Sequence, residues 1–272
     1  SKYNLTLNIS SFDDLKALKA HKGNTIKVHL KIDTGMTRLG VPLDQAEAFL
    51  KEATQINSIE LEGLYSHFAT ADEGDLSYAN SQLSKFNDVV EIAKKLEMSF
   101  DFIHCSNSGA ILNFQDSRFN MVRAGMLLYG AFPSDEVPQE LPIKSVMTFT
   151  APVVEIRDVK AGTQISYGGV YKTKTDTRIA VIQAGFADGV PRPWYIEGFV
   201  KFKNQDFKIT GRICMDQLMI DIGSADIQYG DEVLIFGSNE HGSIDINHIA
   251  KKIDSTSYVL VTALGIRPKR IY

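Results

Sequence analysis

Residues 29–40 read HLKIDTGMTRLG. The stretch runs from an apolar strand, His29-Leu30-Lys31-Ile32, into a loop carrying Asp33 and Arg38. Lys31 interrupts that strand, and a lysine in apolar surroundings needs a partner or a changed charge state. Asp33 and Arg38 are near in sequence, and Gly35 and Gly40 permit tight turns. Taken alone, the stretch reads equally well as a surface strand followed by a charged turn.

The flanking sequence repeats the arrangement. YNLTLNI (3–9) is a strand candidate, followed by SFDDLKALKA (11–20), a helix with a serine cap. IKVHLKI (26–32) is the next strand, and a helix follows from near Pro42 through DQAEAFLKEA. IELEGLYSHF, a helix over about 78–96, FDFIHCS, the short helix SGAILNF and FNMVRAGMLLYG complete the series. Strands alternating with helices at this spacing predict parallel β/α units. Lys31, His67, His104, Ser108 and Arg123 gather at strand ends, where an α/β barrel carries its chemistry.

Only five strand candidates precede residue 131, whereas a closed barrel has eight. The expectation is a partial (β/α)8 barrel over 1–131, with about three strands missing upstream. The absence of a methionine at Ser1 fits that view or ordinary processing. AFPSDEVPQELPIK is rich in proline and acid, so 132–144 reads as a linker. Beyond it, short β-branched segments bounded by glycine predict a mostly antiparallel β domain over 145–272, with one or two late helices.

Composition is that of an ordinary globular chain, 44% hydrophobic and 23% charged. No apolar run is long enough to span a bilayer and no signal peptide is visible, so a cytoplasmic protein is expected. A formal charge of −4 gives no general attraction to nucleic acid. Cys105 and Cys214 have neither disulfide nor metal-site spacing, and no metal is expected.

HLKIDTGMTRLG, SHFATADE, HCSNSGA, VRAGMLLYG, QISYGGVY, QAGFADGVPR and GRICMDQLMID occur in an order that resembles the alanine racemase family, across nearly the whole chain. The resemblance implies a homodimer with composite active sites, pyridoxal 5'-phosphate (PLP) in the barrel, and two-base exchange between L- and D-alanine, supplying D-alanine for peptidoglycan. It matches YNLTLNI to about the fourth barrel strand. The family's PLP lysine lies in a segment resembling VKANAYGHG, which does not occur here. The upstream barrel segment is therefore expected to be missing, and the isolated chain to be inactive. A serine racemase of the same superfamily and a non-catalytic amino-acid-binding relic are the alternatives.

Residue by residue, the resemblance assigns proton exchange to Tyr167, with His104 hydrogen-bonded to it. Arg123 would donate to the PLP pyridine nitrogen, with His67 orienting it. Ser108, Gly125, Met126 and Tyr258 would face the phosphate, Tyr258 also narrowing the pocket in favour of alanine. Arg38 and the Met215 amide would hold the substrate carboxylate, with Asp216 adjoining. Lys31 resembles a lysine that many members carry as a carbamate, an anion able to hold Arg38. One departure is Phe186, where the family usually has tyrosine.

Overall fold

The protein was analysed as a computed structural model that describes residues 3–272. The chain forms two compact units, residues 1–125 with 132–141, and residues 126–131 with 142–272.

The first unit is built on a parallel sheet. Its strands are β1 (Leu7–Ile9), β2 (Ile26–Asp33), the two-residue β3 (Val41–Pro42), β4 (Ile59–Tyr65) and β5 (Phe102–His104). They lie in the order β1-β2-β4-β5, with β3 paired to β2, and every pairing is parallel. This is the expected partial, barrel-like α/β sheet. Helices α1 (Phe12–Lys19), α2 (Ala46–Ala53), α3 (Ser77–Lys95) and α4 (Ser108–Asn113) connect or follow the strands. Ser11 caps α1, its side chain accepting from the Asp14 N–H at 3.1 Å.

β2 explains why Lys31 looked out of place. Ile26, Val28, Leu30 and Ile32 alternate with Lys27, His29, Lys31 and Asp33, the two-residue period of a strand with unlike faces. Val28, Leu30 and Ile32 are fully buried in one core with Leu15 of α1, Phe49 and Leu50 of α2, and Phe86 of α3. The opposite face carries the polar side chains. Lys31 thus belongs to a built polar face.

The fifth strand candidate, FNMVRAGMLLYG, does not form. Asn120 Oδ1 takes the Ile103 N–H at 2.8 Å, filling a ladder position beside β5 with a side chain. One strand-like bond follows, from the Arg123 N–H to the Ser106 carbonyl at 3.0 Å. Met126–Tyr129 then coil into a 3₁₀ turn. Arg123 therefore sits on an extended connection.

The second unit is a seven-stranded antiparallel sheet. Its strands are β6 (Phe149–Val159), β9 (Thr177–Ile182), β10 (Phe199–Phe202), β11 (Gln205–Lys208), β12 (Leu218–Asp221), β13 (Glu232–Asn239) and β14 (Gly242–Ile244). The order is β11-β10-β13-β6-β9-β12, with β14 on β13. A small ribbon, β7 (Gln164–Ile165) with β8 (Tyr171–Lys172), stands apart, and α5 (Ile246–Lys252) and α6 (Ser257–Ala263) close the unit. Val153, Ile182, Leu218, Ile220, Leu234 and Trp194 fill its core.

Candidate active site

The polar face of β2 opens on a cavity of about 620 Å³, lined among others by Asn8, His29, Lys31, Arg38, Tyr65, His67, His104 and Arg123. All of these belong to the first unit. Parallel strands place them together: His29 and Lys31 on β2, Tyr65 at the end of β4, and His104 at the end of β5. His67 and Arg123 come from the connections that follow.

Arg123 is the hub. Its Nη2 donates to the Ser66 carbonyl at 2.9 Å, to His67 Nδ1 at 3.0 Å and, more weakly, to the Cys105 carbonyl at 3.3 Å. Its Nη1 donates to His104 Nδ1. The Nε–H has no acceptor among the described residues and remains available to a ligand. Tyr65 forms the floor: Lys31 Nζ lies 5.5 Å and the Arg123 guanidinium carbon 5.3 Å from its ring centroid, both within cation–π range. The Tyr65 hydroxyl donates to Asn8 Oδ1 at 2.7 Å, fixing the ring.

Both histidines contact Arg123, which corrects the role expected of His104. Its Nδ1 accepts from Arg123, and its Nε2 meets His29 Nδ1 at 2.9 Å. No ring nitrogen is left for a phenol. His67, by contrast, keeps an Nε2 with no partner among the described residues. Burial, then the charge of Arg123, then Arg38 and Lys31 push His67 down to about 4. Burial, Arg123 and His29 push His104 down to about 3. Both rings are thus neutral near pH 7 and can accept from the guanidinium.

The unfolded chain protonates these histidines near their ordinary value of 6.5, whereas the folded chain resists until about 4 and 3. Their contribution is complete above pH 6.5 and is lost as pH falls through the folded values. The urea midpoint should therefore fall between pH 6.5 and 4, and more steeply than in a His104→Asn variant. Parallel pH profiles of the two proteins would refute this.

Lys31 is only 6% exposed. Burial, then Arg38 and Arg123, lower its pKa, while Asp33 opposes weakly. Asp33 is occupied elsewhere, its Oδ1 accepting from the Gly35 and Thr37 N–H groups at 2.9 and 3.1 Å. Gly40 keeps the loop close: a Cβ there would lie 2.8 Å from the Asp33 nitrogen, and its φ is +119°. Arg38 makes no hydrogen bond or ion pair among the described residues. Lys31, Arg38 and Arg123 therefore form a cationic lining suited to an anionic ligand.

Ser108 is buried, but Asn107 is the helix cap, its Oδ1 accepting from the Ala110 N–H at 3.0 Å. Ser108 Oγ instead accepts from the Gly125 N–H at 3.0 Å, which leaves its own proton to donate. The Gly125 amide is therefore already engaged. Met126 is buried in the core of the second unit.

Within the second unit, Tyr167, Met215 and Phe186 share one surface. Tyr167 is 66% exposed, on a turn where Ser166, Gly168 and Gly169 all have positive φ. Ser166 Oγ donates to the Arg212 carbonyl at 2.6 Å, tying this turn to the segment before Met215. The Phe186 and Ala187 N–H groups donate to the Cys214 and Met215 carbonyls, each at 3.0 Å. Arg267 bridges Asp188 at 3.2 Å and Asp216 at 2.6 Å. Met215 is 56% exposed and its N–H meets no acceptor among the described residues. Tyr258 lies on α6, with a half-exposed ring where a core aromatic would be covered.

Comparison with known proteins settles the family. The model of the alanine racemase N-terminal domain matches residues 1–133, and that of the C-terminal domain matches residues 146–272. The chain belongs to the alanine racemase family. It is 38% identical to the alanine racemase of Desulforamulus reducens, over all of this chain and 74% of that protein. The alanine racemase structure of Clostridium difficile 630 superposes with a TM-score of 0.90 at 34% identity, covering 98% of this chain and 70% of that one. The Bartonella henselae alanine racemase structure, with covalently bound pyridoxal phosphate, gives 0.87 at 27% identity over 100% and 74%. These matches correct one expectation. The barrel domain is represented by residues 1–133, so the expectation of a missing upstream barrel segment does not stand.

Sequence reading missed His29 and Tyr65. Alternation in IKVHLKID carried the signal, since it aligns His29 with Lys31, but Lys31 was read as a solitary exception.

Proposed function

We propose that the protein interconverts L- and D-alanine with PLP as cofactor. The observation that carries this reading is Arg123, which lines the cavity with its guanidinium fixed by two neutral histidines and its Nε–H without an acceptor among the described residues. These residues suit the cofactor. Arg123 supplies a permanently charged donor for the pyridine nitrogen, and Ser108 a hydroxyl for the phosphate. Gly125 is proposed as a further phosphate neighbour, its amide first releasing Ser108. PLP, when bound, withdraws electrons from the substrate Cα and so acidifies its hydrogen.

The chain's own groups then bind and move protons. Arg38 is proposed to hold the substrate carboxylate, helped by the Met215 N–H of a second copy of the chain. Lys31, with its depressed pKa, is a ready amine for carbon dioxide. The nitrogen adds to the carbon and loses a proton, and the resulting carbamate would hold Arg38. Tyr167 of a second copy of the chain is proposed to exchange the α-proton on one face of the substrate. The segment 132–144 is proposed to join the barrel part to the β domain in sequence, with residues 132–141 packing in the first compact unit.

The test is α-hydrogen exchange in deuterated water with PLP added. Exchange from both L- and D-alanine, faster than from serine, is expected. A protein that binds PLP yet exchanges neither alanine enantiomer would sink the proposal.

A further inference from the structure

Beyond the residues assigned above, we infer that His29 and Glu62 are positioning residues for Arg123, acting through His104. The inference rests on the proposed cofactor role of Arg123, but its geometry stands independently. A guanidinium can only donate, so the His104 Nδ1 paired with Arg123 must be unprotonated. His104 is 2% exposed, and its single proton therefore sits on Nε2. That Nε2–H donates to His29 Nδ1 at 2.9 Å. His29 must then carry its own proton on Nε2, which lies 3.3 Å from Glu62 Oε2.

Glu62 is held as a carboxylate at the far end. Lys27 Nζ donates to its Oε1 at 2.7 Å and Thr6 Oγ1 to its Oε2 at 2.8 Å, and these bonds lower its pKa. Donors thus run in one direction, from Arg123 through His104 and His29 to Glu62. The reverse polarity would set an imidazole N–H against a guanidinium N–H. A fixed cation at one end and a fixed anion at the other choose both tautomers.

The sequence builds a seat for this ring. His29 pairs with Gly63 across the β2–β4 ladder, where the register shifts between Val28 and His29. A Cβ on Gly63 would lie 2.5 Å from His29 Nδ1, so only glycine leaves the ring its place. The His29 ring stacks on Phe102 with centroids 5.9 Å apart, and Tyr65 stacks on His104 at 4.8 Å. The arrangement aims the His104 lone pair at Arg123 without a carboxylate neutralising the guanidinium. Arg123 keeps its charge and its orientation, and its Nε–H stays without an acceptor among the described residues.

The experiment begins with the unaltered protein. Nitrogen-15 histidine NMR should show His104 and His29 each protonated on Nε2 and bare on Nδ1. A His104 protonated on Nδ1, or on both nitrogens, overturns the inference. His29→Phe keeps a ring on Phe102 but removes the acceptor. It should expose the His104 Nε2–H to fast exchange with water and lower kcat about tenfold, the scale of one buried hydrogen bond left unmade. KM for alanine should stay within about twofold, because no substrate contact is lost. His29→Gln offers one acceptor and one donor, and should recover the protected proton and most of kcat. Equal loss in both variants, with the His104 signal unchanged, would reduce His29 to packing and overturn the inference. If Arg123→Lys proves fully active while the tautomers are as stated, the cofactor reading of Arg123 fails and the relay remains.

Discussion

Arg123→Leu is expected to destabilise the parallel-sheet unit by about 1–3 kcal/mol, the cost of leaving buried hydrogen-bond acceptors unpaired. The leucine would fill part of the volume but leave four acceptors without a donor: His104 Nδ1, His67 Nδ1 and the carbonyls of Ser66 and Cys105. An unmade buried hydrogen bond costs about 1–3 kcal/mol, and the four losses overlap because water and relaxation recover some of them. The histidines should respond as well. Arg123 is the largest charge depressing both, second only to burial, so each pKa should rise when it is removed. Arg123→Lys should recover charge but not the fork, and so recover only part of the stability. Urea unfolding and histidine NMR titration measure the two effects separately. An Arg123→Leu protein within about 0.5 kcal/mol of the parent, the range of an ordinary surface change, would show that the hub is not structural.

The sequence reading succeeded where chemistry and periodicity agreed. Ser11 before an apolar-periodic run is a cap because its hydroxyl reaches the Asp14 amide, and that local rule needs no tertiary partner. FNMVRAGMLLYG failed for a tertiary reason. Its apolar residues look like a strand, but Asn120 takes a ladder position with its side chain, which no pattern within the segment announces. The site shows the same division. Lys31, Arg38, Arg123 and His67 could be named from motifs, and the structure gathers them at one cavity. The neighbour expected for His104 differs from the one it has, since its partner, His29, is 75 residues away on another strand. Lone histidines carry no indication of tautomer. That information resides in the Arg123-to-Glu62 polarity, which exists only once β2, β4 and β5 are side by side.

Tyr167→Phe should lower racemisation by about 10²–10⁴, the usual contribution of a positioned acid/base group, with almost no change in stability. The structural grounds are specific. The turn that presents Tyr167 is held by backbone geometry and by Ser166, whose Oγ is bonded to the Arg212 carbonyl at 2.6 Å. The phenol itself is 66% exposed, and its hydroxyl has no partner among the described residues. Removing one oxygen therefore deletes a proton carrier without deleting a support, and the unfolding midpoint should stay within about 0.5 kcal/mol of the parent. PLP binding, followed by cofactor absorbance, should also persist, because Tyr167 has no proposed cofactor contact. The loss should be unequal between enantiomers. If Tyr167 serves the face from which the L α-hydrogen departs, exchange from L-alanine should nearly stop while exchange from D-alanine partly survives. Deuterium incorporation measured from each pure enantiomer separates the cases. Equal residual exchange from both would remove Tyr167 from the L face, and an unchanged rate would remove it from proton transfer altogether.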